Sequence, residues 1–174
     1  MPEHIRLRFT QILKEAEGYL ELNLPEQALA ALDRAGEGGT FRGHVLYLRG
    51  EALRALKRYP EALEALGEAA ELSPSNVHIW LALGWCYKRN GRLDLAIDSL
   101  EKAQMTDPEP GTAALLLYNL ACYWSLAGSK DHALNSLARA FAIDDHYRDM
   151  VGNEPDFDPL RSDPDFRQLV SVIV

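Results

Sequence analysis

Four sets of residues recur along this 174-residue chain at a spacing of 34, and that period restricts the fold more than any other feature. Ala16, Gly50 and Gly84 form one set, and Ala28, Ala62 and Ala96 a second. Leu32, Leu66 and Leu100 make a third, and Ala35, Ala69 and Ala103 a fourth. A fourth copy continues the four series at Ala121, Ala133, Leu137 and Ala140, displaced by 37 residues instead of 34. The three extra residues fall around Glu109-Pro110-Gly111-Thr112, where a loop can absorb them. A fixed period of this length marks an array of units, each burying its apolar face against its neighbours.

Each copy reads as two helices. In the third, Trp80, Leu83, Gly84 and Tyr87 recur at helical spacing, and Arg89-Asn90-Gly91-Arg92 supplies a turn. A second helix follows through Leu93, Ala96, Ile97, Leu100 and Ala103. It stops at Asp107-Pro108, because proline lacks the N–H that a helix interior needs. The small residues Gly84 and Ala96 suit a close crossing of the paired helices, where a larger side chain would hold the backbones apart.

These residues resemble the tetratricopeptide repeat. Trp80-x2-Leu83-Gly84-x2-Tyr87, with Ala96, Leu100, Ala103 and Pro108, follows that motif almost throughout. The second copy keeps Gly50, Ala62, Leu66, Ala69 and Pro74 but has Leu46 and Leu53 at the aromatic positions. The first keeps Ala16, Tyr19, Ala28, Leu32 and Ala35, with Thr40 in place of the terminal proline. The fourth carries Leu120, Ala121, Trp124, Ala133, Leu137 and Ala140, with Asp145 in the proline slot. The resemblance covers roughly residues 9–147. It implies an all-α, right-handed α-solenoid of about four helix-turn-helix repeats, placed at about 9–42, 43–76, 77–110 and 114–147. Residues 148–174 are expected to form an acidic segment with a capping helix, since the last repeat needs a cover with a polar outer side. Ser162-Asp163-Pro164-Asp165 reads as the start of that helix, and Phe166, Leu169, Val170 and Ile173 as its apolar stripe. Phe157 and Leu160 are expected to pack back on the fourth repeat.

Charge narrows the function. Eighteen Lys and Arg against 26 Asp and Glu give a net charge of -8, whereas nucleic acids and anionic membranes demand a dominant basic surface. Residues 144–174 hold eight acidic residues against three arginines, a net of -5, so the first 143 residues carry only -3 of the -8. Two cysteines, Cys86 and Cys122, are too few for a secreted disulfide scaffold and too far apart for a zinc spacing. Both are expected to be small buried hydrophobes. Met1-Pro2-Glu3-His4 lacks the basic and apolar blocks of a signal peptide, and no apolar run approaches the ~20 residues that span a bilayer. A cytoplasmic setting without nucleic-acid or membrane partners is the expectation.

The family resemblance implies a protein or peptide ligand along the concave face built by the first helix of each pair. Its groove positions map to Leu13 and Glu17 in the first copy, and to His44, Tyr47, Leu48, Glu51 and Arg54 in the second. In the third they are His78, Leu81, Ala82, Trp85, Lys88 and Arg89; in the fourth, Leu115, Tyr118, Asn119 and Cys122. Tyr47, Trp85 and Tyr118 lie outside the framework of the motif and offer apolar area, while Arg54, Lys88 and Arg89 can read acidic side chains. Asn119 can bond both polar groups of a ligand backbone. Alternatively these aromatics pack against the next repeat or under the C-terminal segment. Arg58 and Arg92, equivalent in successive copies, are read as cations that complement helix C-terminal dipoles.

No catalytic, metal-binding or cofactor motif stands out, so an enzyme is not expected. His44 and His78 fall one repeat apart, about 8–10 Å, too far to share a metal. Some relatives grip a chaperone's terminal carboxylate with two lysines, two asparagines and an arginine. Those positions here hold Leu13, Glu17, Leu48, His78 and Ala82, which match none of them. The competing reading is a self-association module, a homodimer or larger assembly. It is suggested by Ile5, Leu7, Phe9 and Ile12, which leave the N-terminal edge apolar.

Overall fold

The computed structural model describes residues 2–36 and 38–171, so Ile173 of the expected cap stripe lies outside the described residues. Among them are ten α-helices and two 3-10 segments, with no strand. The chain divides into two units, residues 1–91 and 92–174.

The first unit contains α1 (Glu3–Glu21), α2 (Pro25–Asp33), a 3-10 turn (Gly39–Phe41), α3 (Arg42–Ala55), α4 (Tyr59–Leu72) and α5 (Val77–Arg89). α1 with α2, and α3 with α4, form helical hairpins. Proline opens α2 at Pro25 and falls in the first turn of α4 at Pro60, where a missing N–H costs nothing. Asn76 caps α5 by accepting the His78 N–H at 3.0 Å. The Trp80 indole donates to the Pro74 carbonyl at 2.8 Å, which ties α5 to the turn that ends α4.

The turn inside each hairpin repeats in atomic detail. Asn23 and Lys57 adopt left-handed φ values of 57° and 60° although neither is glycine, and Gly128 in the second unit has 75°. At each, two backbone bonds close the helix end: Leu24 N–H to Tyr19 C=O and Asn23 N–H to Leu20 C=O, Arg58 to Leu53 and Lys57 to Arg54, then Ser129 to Trp124 and Gly128 to Ser125. This is the Schellman arrangement, which satisfies carbonyls that a helix end would otherwise leave unpaired. Gly50 shows why the framework wants a small residue. A Cβ there would lie 2.4 Å from Leu66 Cγ and 2.6 Å from Cδ2, inside contact distance.

Two apolar clusters fill the first unit. One gathers Ile12, Leu13, Ala16, Ala28, Leu32 and Val45; the other gathers Leu53, Ala62, Leu66, Ile79, Leu83 and Cys86. Each fully buried leucine or isoleucine stabilises by about 1.5–3 kcal/mol through the water it sheds. The framework positions inferred from the period, including Ala28, Ala62, Leu32 and Leu66, are all buried.

The second unit contains α6 (Leu93–Gln104), α7 (Pro110–Leu126), α8 (Lys130–Ile143), α9 (His146–Val151), a 3-10 segment (Pro155–Leu160) and α10 (Pro164–Val170). α7 and α8 form its hairpin, with Leu116, Leu120, Ala121, Leu137 and Phe141 buried. The C-terminal segment packs on it as the sequence suggests: Phe157 is fully buried, Leu160 and Phe166 nearly so, and the 3-10 segment lies against α7. Asp163 caps α10, accepting from the Asp165 and Phe166 N–H groups at 2.9 and 3.2 Å. Lys130 of α8 bridges Asp163 at 2.8 Å and Asp165 at 2.6 Å, and Arg148 lies over the Phe141 ring at 4.3 Å. The acidic block is therefore pinned by cations of its own unit as well as solvated. No helix among the described residues is long and apolar enough to cross a membrane.

Candidate functional site

In the first unit, α1, α3 and α5 contribute their side chains to one face, with α3 packed on both of the others. Helical spacing sets His44, Tyr47, Glu51 and Arg54 along one side of α3. His44 Nε2 lies 3.0 Å from Glu17 Oε1 of α1, and its ring is 6.4 Å from that of Tyr47. Tyr47 is half-buried between the two apolar clusters. Burial first, then the Glu51 charge, pushes its phenol up to about 12.

Trp85 of α5 is the centre of the face. The Arg54 guanidinium lies 5.0 Å from its ring centroid and that of Arg89 5.1 Å, within the range of cation–π attraction. Tyr59 meets it edge-on at 5.5 Å. Arg54 holds Glu51 through two bonds, Nε to Oε1 at 3.0 Å and Nη2 to Oε2 at 2.7 Å, so its charge is answered inside the chain. Arg89 is exposed and makes no ion pair among the described residues. Lys88 is half-buried, and His78 is exposed in the first turn of α5. Tyr59 escapes sequence reasoning because it stands on α4, a second helix, where the repeat assigns no ligand contact. Cys86 is fully buried next to Arg54, and burial pushes its thiol up to about 11.

Several sequence expectations need correcting. Leu13, Leu48 and Ala82 are buried and belong to the core. Arg58 and Arg92 stand at the N-caps of α4 and α6, where the dipole disfavours a cation. Their partners are first-turn acids instead: Arg58 bonds Glu61 through both Nε and Nη2, and Arg92 lies 3.6 Å from Asp94. Tyr118 was expected to offer open apolar area, yet it is 3% exposed. Its ring packs against Tyr147 at 4.9 Å and edge-on against Phe157 at 5.8 Å. The C-terminal segment has taken the place assigned to a ligand. Asn119 is half-buried, and Leu115 stays exposed.

That covering brings together groups the sequence reading kept apart. Cys122, one turn beyond Tyr118 on α7, has its Sγ within 4.8 Å of carboxylate oxygens of Glu154 and Asp156, which lie equally close to each other. The Tyr118 hydroxyl is buried and has no hydrogen-bond partner among the described residues. Residues 32 and 34 positions apart carry no recognisable ligand spacing, so only the docked cap reveals this group.

The family model of the tetratricopeptide repeat matches residues 13–76 and 47–111, more than half of the chain. A probable UDP-N-acetylglucosamine–peptide N-acetylglucosaminyltransferase of barley, SPINDLY, is 29% identical over 103 residues. That match covers 57% of this chain and 11% of the barley protein. Anaphase-promoting complex subunit 3 of Dictyostelium discoideum is 42% identical over 57 residues, 33% of this chain and 6% of that protein. The chain thus spans about a tenth or less of the length of these two relatives. A crystal structure of MamA superposes with a TM-score of 0.71 at 22% identity, covering 81% of each chain, and that likeness shows the fold. The helix pairs form an all-α solenoid of the kind that generally serves as a scaffold for protein–protein interaction. By the repeat period, the family model and the fold alike, the chain belongs to the tetratricopeptide repeat family.

Proposed function

We propose that this chain is a non-enzymatic adaptor or assembly factor that holds a protein segment against the α1, α3 and α5 face of its first unit. The observation that carries the reading is Trp85, a half-buried aromatic with Arg54 and Arg89 over its ring. Tryptophan and arginine dominate interface energetics because a large apolar area and a planar, weakly hydrated cation lose little on desolvation. Trp85 supplies the platform for an apolar side chain of the partner. Arg89, exposed and without an ion pair among the described residues, reads an acidic side chain beside it. Arg54 acts differently from the sequence expectation, because Glu51 already holds it; it orients the ring rather than the ligand.

Capture of partners from native lysate, compared between the intact chain and Trp85→Ala/Arg89→Ala, tests this. Each hot-spot truncation is expected to cost about 2 kcal/mol, roughly thirtyfold in affinity, with the helical circular dichroism unchanged. Undiminished capture by the folded double variant would overturn the reading.

A second reading has its own observation. Leu7 of α1 is 61% exposed, next to a cleft of about 500 Å³ lined by Ile5, Arg8, Phe9, Asp33, Arg34 and Ala35. This edge suits a second copy of the chain. A molar mass by light scattering that stays monomeric across a hundredfold concentration range would remove it.

A further inference from the structure

The geometry points to a divalent metal site of the zinc class formed by Cys122 of α7 with Glu154 and Asp156 of the C-terminal segment. Two independent features support it. The first is convergence: one sulfur and two carboxylates, from elements more than 30 residues apart, lie within 4.8 Å of one another. A tetrahedral ion bound at ~2.0–2.3 Å would draw them to about 3.5 Å, a closure of about 1 Å that side-chain rotation supplies. Glu154 is already oriented, because its Oε1 accepts the Asp156 N–H at 3.2 Å. No lysine or arginine among the described residues forms an ion pair with Glu154, since Arg161 spends its guanidinium on Asp158 and on the Val151 and Glu154 carbonyls.

The second feature is Tyr118. It is 3% exposed, and its hydroxyl has no hydrogen-bond partner among the described residues. Buried hydroxyls are rarely left so, because desolvation goes uncompensated. Tyr118 lies one helical turn before Cys122 on α7, and its ring packs edge-on against Phe157, the residue after Asp156, so it stands on the same side of α7 as this group. Three protein ligands leave one position of a tetrahedral ion for water, and an O–H at the edge of the site can bond that water.

The donor set selects the ion. Calcium and magnesium demand oxygen ligands throughout, and copper(I) prefers sulfur, so one sulfur with two carboxylates favours a borderline ion such as Zn2+. On binding, the Cys122 S–H bond breaks, the S–metal bond forms and the proton leaves to solvent; no electron is transferred. Cys122 and Asp156 each have a further contact within the chain, which the ion must outcompete. The ion would join α7 to the cap and add to the stability of the second unit.

The test titrates Zn2+ and Co2+ into the untagged, metal-stripped full chain. One equivalent of Zn2+ is expected to bind and raise the melting temperature. Co2+ is expected to give the near-ultraviolet band of a sulfur–cobalt bond. Glu154→Gln and Asp156→Asn, both at half-buried positions that tolerate the change, should each weaken binding at least tenfold. Tyr118→Phe should weaken it less, and Cys86→Ala should leave the band intact. Absence of saturable Zn2+ binding in the intact chain, or binding and a melting shift unchanged in Glu154→Gln/Asp156→Asn, overturns the proposal.

Discussion

Tyr47 and Tyr118 occupy the same position of the repeat two copies apart, yet one belongs to a surface and the other to a core. Tyr47 stands half-buried on α3, with a histidine, a glutamate and an arginine as its neighbours. Tyr118 stands on α7 beneath Phe157 and Tyr147. The next groove position repeats the contrast, with Trp85 on the open face of the first unit and Cys122 sealed in the second. A repeat position therefore fixes where a side chain points along its helix but not whether that direction meets solvent. The neighbouring segment decides, and in the second unit that segment is the chain's own cap.

The sharpest way to break this contrast is to remove the cover. Phe157→Ala empties a fully buried site and is expected to destabilise by about 3–5 kcal/mol. Urea unfolding measures the loss, and hydrogen exchange should show α7 opening while α3 is unaffected. Equal loosening of both helices would mean that the cap does not act on the second unit alone. A middle-sized effect is expected at Gly50, where an added methyl meets Leu66, itself fully buried. Gly50→Ala should cost about 1–3 kcal/mol by overpacking, whereas the equivalent Ala121 of the second unit already carries that methyl. A neutral Gly50→Ala would show that the α3–α4 crossing is looser than its distances indicate.

The smallest effect concerns alkaline stability. A phenol whose folded pKa is raised from 10.0 to about 12 favours the folded state below pH 10, and that contribution is lost as pH climbs toward 12. The thiol of Cys86, pushed from 9.0 to about 11, adds a loss that begins about a unit lower. Tyr47→Phe should flatten the upper part of the stability curve and leave the lower part, read by urea midpoints between pH 8 and 12. An unchanged curve would place Tyr47 in water rather than against the two clusters.

Much of the fold was legible because its signals are local or periodic. Leu32, Leu66 and Leu100 declare their burial by spacing, and Asp163-Pro164 declares a helix start by chemistry. The pairing of Arg54 with Glu51 was legible too, since three residues along a helix makes neighbours, but it was read as a ligand contact. The left-handed turn at Lys57 was hidden by a side chain that does not advertise the conformation, whereas Asn23 is a residue type that favours it past a helix end. Hardest was the cap. Its docking on α7 joins residues such as Tyr118 and Phe157, whose separation follows no period, and the Cys122 cluster exists only as a result of that docking.

The two kinds of connection in the array differ in how they respond to length. The turn inside a hairpin is a closed hydrogen-bonded ring, from Tyr19 to Leu24 in the first copy and from Trp124 to Ser129 in the last. One inserted residue would break both of its bonds. The stretch between α6 and α7 is held by single-turn bonds such as Thr106 N–H to Ala103 C=O and exposes Met105 almost fully. The additional residues of the fourth copy fall at its far edge, where Pro110-Gly111-Thr112 lengthen the start of α7 instead of forming the loop that the sequence suggests. Genetic insertion, whether by evolution or by an engineer adding a tag or a binding loop, thus has an open door at 105–109 and a locked one at each hairpin.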